Sequence, residues 1–173
     1  ANEILPVLER QMAPREIDDS RRLAREYKRL LDAVAQPRAR GSNGDGLRDE
    51  LLDAAAAGNT AKIAELLSRG ADLEGNDTSG RTAVINASWR GRTEVVDLLV
   101  ELGADFNVTD YDGRTAVSWA ASNGHNDIVQ KLVEAGARTN VVDGDGLTPL
   151  MRAAWNGHDT IVRLLIESGA RAS

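Results

Sequence analysis

A chain of 173 residues, 42% of them hydrophobic, has material for one ordinary core plus an extra segment, and the lack of cysteine rules out disulfides and thiolate metal sites. No apolar run approaches the roughly 20 residues of a membrane span and no charged-then-apolar leader opens the chain, so a soluble cytoplasmic protein is expected. The net charge of −6 is uneven: residues 1–40 hold nine Lys/Arg against seven Asp/Glu (+2) and the rest twelve against twenty (−8), a balance that speaks against nonspecific binding to nucleic-acid backbones.

Residues 1–36 read as a helical arm of one or two helices. The first is expected over Asn2 to Met12, with Ile4, Leu5, Leu8 and Met12 on one face and Pro6 tolerated near the first turn. The second is expected from Pro14 to Gln36, with an apolar stripe of Ile17, Ala24, Tyr27, Leu30, Leu31 and Val34, and Pro37 ends it. Its run of Arg21, Arg22, Arg25, Lys28 and Arg29 contains Arg22–Glu26 and Lys28–Asp32 pairs one helical turn apart, the pattern of a solvated face. A patch for nucleic acid or a membrane surface is the alternative. Residues 37–46, PRARGSNGDG, read as a linker. Two readings of the arm stand: a hairpin covering the open edge of the domain beyond the linker, or a separate segment, even a partner peptide joined through the linker.

From residue 47 onward the chain repeats. Gly58, Gly91, Gly124 and Gly157 stand 33 apart, as do Gly70, Gly103, Gly136 and Gly169, and Gly80, Gly113 and Gly146 keep the same step. Ile63, Val95, Ile128 and Ile161 are expected to form one apolar column, and Leu67, Leu99, Leu132 and Leu165 another. The period divides the chain into four units, over 47–76, 77–109, 110–142 and 143–173, each a helix, a turn, a second helix and a turn. Thr82 to Arg90 is expected as a first helix closed by Gly91, and Thr93 to Leu102 as a second closed by Gly103, since glycine takes the left-handed backbone that ends a helix. In that second helix Val95, Val96, Leu98 and Leu99 make the apolar face, while Glu94, Asp97 and Glu101 are expected to face water. Between units lie Asp77-Thr-Ser-Gly80, Asp110-Tyr-Asp-Gly113 and Asp143-Gly-Asp-Gly146, with Asp and Gly at the positions a tight turn favours.

The period is joined by Thr148-Pro-Leu-Met-Arg-Ala153, by the weaker Thr82-Ala-Val-Ile-Asn-Ala87 and Thr115-Ala-Val-Ser-Trp-Ala120, by Gly103-Ala-Asp-Phe-Asn107, and by Gly-His pairs at 124–125 and 157–158. Over residues 47–173 the chain resembles an ankyrin-repeat protein. The histidine usual in the Thr-Pro-Leu-His motif is missing from every copy and the proline survives once, which bears on hydrogen bonding in the first helices. The resemblance implies an all-α solenoid with β-turn fingertips, because no single repeat buries its own apolar face. It also implies a concave surface that docks another protein.

By analogy with the family, repeat 2 offers Thr78, Ser79, Arg81, Trp89 and Arg90 on that surface. Repeat 3 offers Tyr111, Asp112, Arg114, Ser122 and Asn123, and repeat 4 offers Gly144, Asp145, Leu147, Trp155 and Asn156. One further first-helix position adds Asn86, Trp119 and Arg152. All three tryptophans fall in this set, together with four arginines, the residue types enriched at binding hot spots. The expected ligand is a peptide or protein segment with apolar anchors and acidic residues. Set against this, tryptophan packed on a neighbouring repeat with arginine over its ring is an internal cation–π pair.

No cofactor, metal or catalytic role is expected. His125 and His158 share one repeat position, where Asn59 and Arg92 stand in other copies, so they are expected to serve the scaffold. Two histidines without cysteine make a poor zinc site, and the Asp-rich turns lack the spacing and closing Glu of a calcium loop. No phosphate-cradling Gly-Lys motif or Gly-x-Ser-x-Gly elbow occurs. Three functional readings remain: an adaptor or scaffold, an inhibitor or regulatory domain of an enzyme using the same face, and nucleic-acid binding through the arm, which the acidic repeats oppose. In the last unit Ile161, Val162, Leu165 and Ile166 resemble interior copies, so an array cut short here, or a contact with another chain or with residues 1–36, is expected.

Overall fold

The computed structural model describes residues 44–170, and the helices expected in the arm lie outside these. Eight helices occur among the described residues: α1 Gly44–Ala57, α2 Thr60–Ser68, α3 Ala83–Trp89, α4 Thr93–Glu101, α5 Ala116–Ser122, α6 Asn126–Glu134, α7 Pro149–Trp155 and α8 Asp159–Glu167. The odd-numbered helices stack in sequence as an inner row, and each packs against the even-numbered helix that comes after it. This is the all-α repeat solenoid that the family resemblance implied.

Local chemistry explains each unit. Thr115 and Thr148 cap α5 and α7 by accepting from the backbone N–H groups of Ser118 and Met151, and Pro149 opens α7 where its missing N–H costs nothing. The inner helices are short and rich in alanine, so Ala87, Ala116, Ala120, Ala121 and Ala153 are buried and neighbouring repeats approach closely. Behind them Val95, Val96, Leu99, Ile128, Val129, Leu132, Ile161 and Leu165 fill the core.

Three expectations need correction. First, α1 begins at Gly44, inside the stretch expected as linker. Gly44 and Leu47 take the places held by Asp77 and Gly80 one repeat later, so no carboxylate folds a turn and no glycine supplies the left-handed fourth position. The segment winds into helix, and Leu47 packs against the core. Second, Ile63 and Leu67 are fully buried but lie one residue out of phase with their supposed columns. Counted from Gly58, the equivalents of Val95 and Leu99 are Lys62 and Leu66, and α2 buries Ile63, Leu66 and Leu67 instead. Among the described residues no outer helix precedes α2, so Lys62 turns outward and its ammonium meets Glu65 at 3.0 Å. Third, Asp97 does not simply face water: its carboxylate reaches Lys131 of the next outer helix at 2.8 Å.

At the far end Ile161 and Leu165 are buried against α7 while Ile166 stays 56% exposed, so the last outer helix presents only part of its apolar side. The histidines hold repeats together, as expected. His125 Nε2 lies 3.2 Å from the Trp89 carbonyl oxygen, and His158 Nε2 lies 3.1 Å from that of Ser122. At the same position in repeat 2, Arg92 Nε donates to the Ala56 carbonyl at 2.9 Å. Gly91 makes the first of these possible. Its φ of +70° suits glycine, and a Cβ there would stand 2.6 Å from the His125 ring.

Candidate partner-binding face

The fingertips are built by one aspartate in each of repeats 2, 3 and 4. Asp77 Oδ1 accepts from the backbone N–H groups of Ser79 and Arg81, Asp110 Oδ1 from those of Asp112 and Arg114, and Asp143 Oδ1 from those of Asp145 and Leu147. Each aspartate N–H also donates back to the carbonyl four residues on, which closes the turn. Adjacent tips are joined by Tyr111 N–H to the Ser79 carbonyl at 2.9 Å and Gly144 N–H to the Asp112 carbonyl at 2.7 Å. The tips therefore form a continuous bonded edge beside the inner helices.

In repeats 3 and 4 the second oxygen of the aspartate accepts from the residue nine positions later, and the residue at that step differs in repeats 2, 3 and 4. In repeat 3 the Trp119 indole N–H donates to Asp110 Oδ2 at 2.8 Å. In repeat 4 Arg152 Nε donates to Asp143 Oδ2 at 2.7 Å. In repeat 2 the place is taken by Asn86, and the nearest cation to Asp77 Oδ2 is Arg81 Nε at 3.9 Å, beyond hydrogen-bond length.

These choices organise a ladder of alternating rings and cations. Trp89 and Trp119 lie with ring centroids 5.7 Å apart at 50°. The Arg81 guanidinium carbon sits 4.7 Å from the Trp89 centroid and 5.8 Å from that of Trp119. Arg90 lies 4.1 Å from the Trp89 centroid and Arg114 lies 4.6 Å from that of Trp119. Each contact is within the range where the ring quadrupole attracts a cation, by about 0.5–1 kcal/mol at sites open to water. Beyond Arg114 the ladder becomes ionic. Arg114 reaches Asp145 at 3.1 Å and Asp143 at 3.6 Å, and Arg152 bonds both carboxylates. Hydrogen bonds from Arg152 and then Arg114 hold the Asp145 carboxyl below its ordinary value. Burial works against the charge on Arg152, but the bonds to Asp145 and Asp143 outweigh it and raise that group.

The predicted residues separate into groups. Arg81, Trp89, Arg114, Trp119 and Arg152 come together as the half-buried ladder, with Arg90 stacked on it from the exposed side. The internal cation–π arrangement is thus realised for two of the tryptophans. Trp155 and Tyr111 are open, at 81% and 76% exposure, with the Tyr111 ring lying over Gly80. Leu147 is half-buried, and Thr78, Asp112, Gly144 and Asp145 are exposed at the tips.

Asn86 is the clear correction: expected on the surface, it is buried with 7% exposed. It sits on α3 between the buried Ile85 and Ala87, on a short inner helix buried from Ala83 to Ser88 by its neighbours on either side. Ser122, Asn123 and Asn156 serve the scaffold. The Asn123 side-chain amide donates to the Trp119 carbonyl at 3.0 Å, and the Asn156 amide donates to the Ser122 carbonyl at 3.0 Å and its hydroxyl at 3.1 Å. Sequence reasoning assigned Asp110 and Asp143 a turn role only. The matched nine-residue step from Asp110 to Trp119 and from Asp143 to Arg152 was the signal that could have revealed their second task.

Among the described residues no group of His, Asp or Glu side chains is arranged to hold a metal ion, and no helix is long and apolar enough to cross a membrane. A family model described as ankyrin repeats (3 copies) matches residues 28–110 and 103–173. The first match starts within residues 1–36, the segment expected as a helical arm. No curated protein matches the chain.

Proposed function

The chain belongs to the ankyrin-repeat family, whose repeats generally mediate contacts between proteins, and from that premise we propose that it is a non-enzymatic interaction module, an adaptor or scaffold. It receives a peptide or protein segment on the face that carries the Trp/Arg ladder, the segment contributing apolar anchors and acidic residues. The supporting observation is the combination of a rigid ladder with two large aromatic side chains, Tyr111 and Trp155, left open beside it. Open aromatic rings cost free energy in water and supply large contact area at a small entropy cost when covered. The residues that stack the repeats are Ala, Val, Leu and Ile in the core, so neither Tyr111 nor Trp155 is needed to fill it.

The test is selection of a random linear peptide library on the folded full chain, followed by affinity measurement of the recovered peptides. Tyr111→Ala and Trp155→Ala are each expected to weaken binding about tenfold or more with the circular dichroism and melting curve unchanged. Recovered peptides whose affinity ignores both substitutions would remove this face from consideration. If a bound partner is an enzyme whose activity falls on binding, the module acts as an inhibitor rather than as an adaptor.

A further inference from the structure

The four arginines of the ladder are not equivalent in charge. Arg114 and Arg152 face Asp143 and Asp145, two cations against two anions, and Asp145 lies between both guanidinium groups. At the other end, among the described residues, the carboxylate near Arg81 is that of Asp77, at 3.9 Å, and Asp77 Oδ1 is already filled by two backbone N–H groups. Arg81 Nε is buried without a hydrogen-bond partner, as is Arg114 Nε, so the two differ in the carboxylates beside them. Arg90 makes its contact with the Trp89 ring and, among the described residues, with no carboxylate. Both side chains stack on the Trp89 ring, Arg81 with Asp77 as a loose ion-pair partner, and neither is held between two carboxylates as Arg114 and Arg152 are, which leaves charge for a ligand.

The molecule itself shows what such a place accepts. Arg114 occupies in repeat 3 the position of Arg81 in repeat 2, and at the junction of repeats 3 and 4 the carboxylate of Asp145 enters beside it. The equivalent acid at the junction of repeats 2 and 3 is Asp112, which is exposed. Trp119 stands there in place of Arg152, donates to Asp110 and stacks on Arg81. The carboxylate clasp built at one junction is therefore missing its acid at the other.

We propose that Arg81 and Arg90, both stacked on the Trp89 ring, form a subsite for a carboxylate side chain of an acidic peptide segment, with Arg81 in the place from which Arg114 receives Asp145 one repeat later. The proposal rests on the binding face described above and adds where along it the acidic residue sits: at the repeat-2 end, with apolar anchors toward Tyr111 and Trp155. On residues 41–173, whose net charge is −8, two arginines with one loose carboxylate contact between them are a local feature that selects for such a ligand and orients it.

The experiment is a double-mutant cycle on the full chain. The probe is the tightest peptide from the random library, synthesised with a fluorophore, and its counterpart with every Asp changed to Asn and every Glu to Gln. Toward the unmodified chain the amide counterpart is expected to bind about tenfold more weakly, and toward Arg81→Gln/Arg90→Gln the two probes are expected to bind alike. The difference should shrink as salt is added, and Arg163→Gln on α8 should leave it intact. If Arg81→Gln disturbs folding, Arg90→Gln alone carries the cycle, since Arg90 is exposed and touches the Trp89 ring only at its face. Equal sensitivity to the amide change in both backgrounds overturns the proposal while the Tyr111 and Trp155 dependence keeps the face. Loss of that dependence as well brings down both. A single-stranded oligonucleotide that displaces the peptide with the same arginine dependence and a steep salt slope would reassign the subsite to phosphate and overturn it also.

Discussion

Replacing Gly91 with alanine tests how the repeats are joined, because Gly157 stands at the same repeat position and supplies the comparison. Both glycines have left-handed backbone, with φ of +70° and +75°. A Cβ at Gly157 meets nothing within 4 Å, whereas at Gly91 it would lie 2.6 Å from His125 Cε1 and 2.9 Å from Nδ1. The left-handed conformation costs an alanine about 1 kcal/mol at either site. At Gly91 the ring must also move, which breaks its contact with the Trp89 carbonyl at 3.2 Å; losing that bond adds about 1 kcal/mol, with some packing besides. Gly157→Ala is therefore expected to cost about 1 kcal/mol and Gly91→Ala about 2–3 kcal/mol, or about 3 °C against about 8 °C in melting temperature for a domain of this size. Urea unfolding with an unchanged slope measures the difference. In a cycle with His125→Ala, the Gly91→Ala cost should fall by about 1 kcal/mol. Equal costs for the two glycines, together with zero coupling to His125, would refute the account of the histidine as an inter-repeat bond.

The fingertip aspartates and the tryptophan row give further tests. Asp110→Ala removes the acceptor for two backbone N–H groups and the Trp119 indole, so it is expected to cost about 3 kcal/mol, and Asp110→Asn less, by urea unfolding. The lowered Asp145 value means that its contribution is present above the ordinary aspartate value of 3.8 and is lost as pH falls below that toward the folded value. Melting temperature followed downward in pH should therefore fall less steeply for Asp145→Asn than for the unmodified chain, and parallel curves would contradict the pairing with Arg152 and Arg114. Trp155 should dominate quenching of fluorescence by acrylamide, since it is the open tryptophan; Trp155→Phe is expected to leave an emission that resists quenching. The coupled rings of Trp89 and Trp119 should give an exciton couplet in circular dichroism that Trp89→Phe abolishes.

The order of elements was legible because it is written in local chemistry. Gly91, Gly103 and their repeats mark helix ends by a backbone conformation that other residues resist, and Asp77, Asp110 and Asp143 mark turns by bonding their own backbone. The phase slip in α2 was hidden because Ile63 and Leu67 are apolar and buried in either register; only the place of Lys62 beside Glu65 separates them. The start of α1 was missed because Gly and Asp read as loop formers, yet without a matching turn partner they join a helix.

The amino-acid sequence by itself determined the family, the period and the two helices of each repeat. Those properties depend on backbone preferences and apolar spacing within a repeat, and neighbours in sequence carry them. Only the tertiary structure decided which side chains are free. Trp89, Trp119 and Trp155 are the same residue type on the same row, yet two are stacked with arginines and one stands open. Arg81 and Arg114 share a repeat position, yet only Arg114 comes within hydrogen-bond length of a carboxylate. The physical reason is that rings and charges are satisfied by whatever the adjacent repeat brings within a few ångströms, and that is set by stacking rather than by position along the chain.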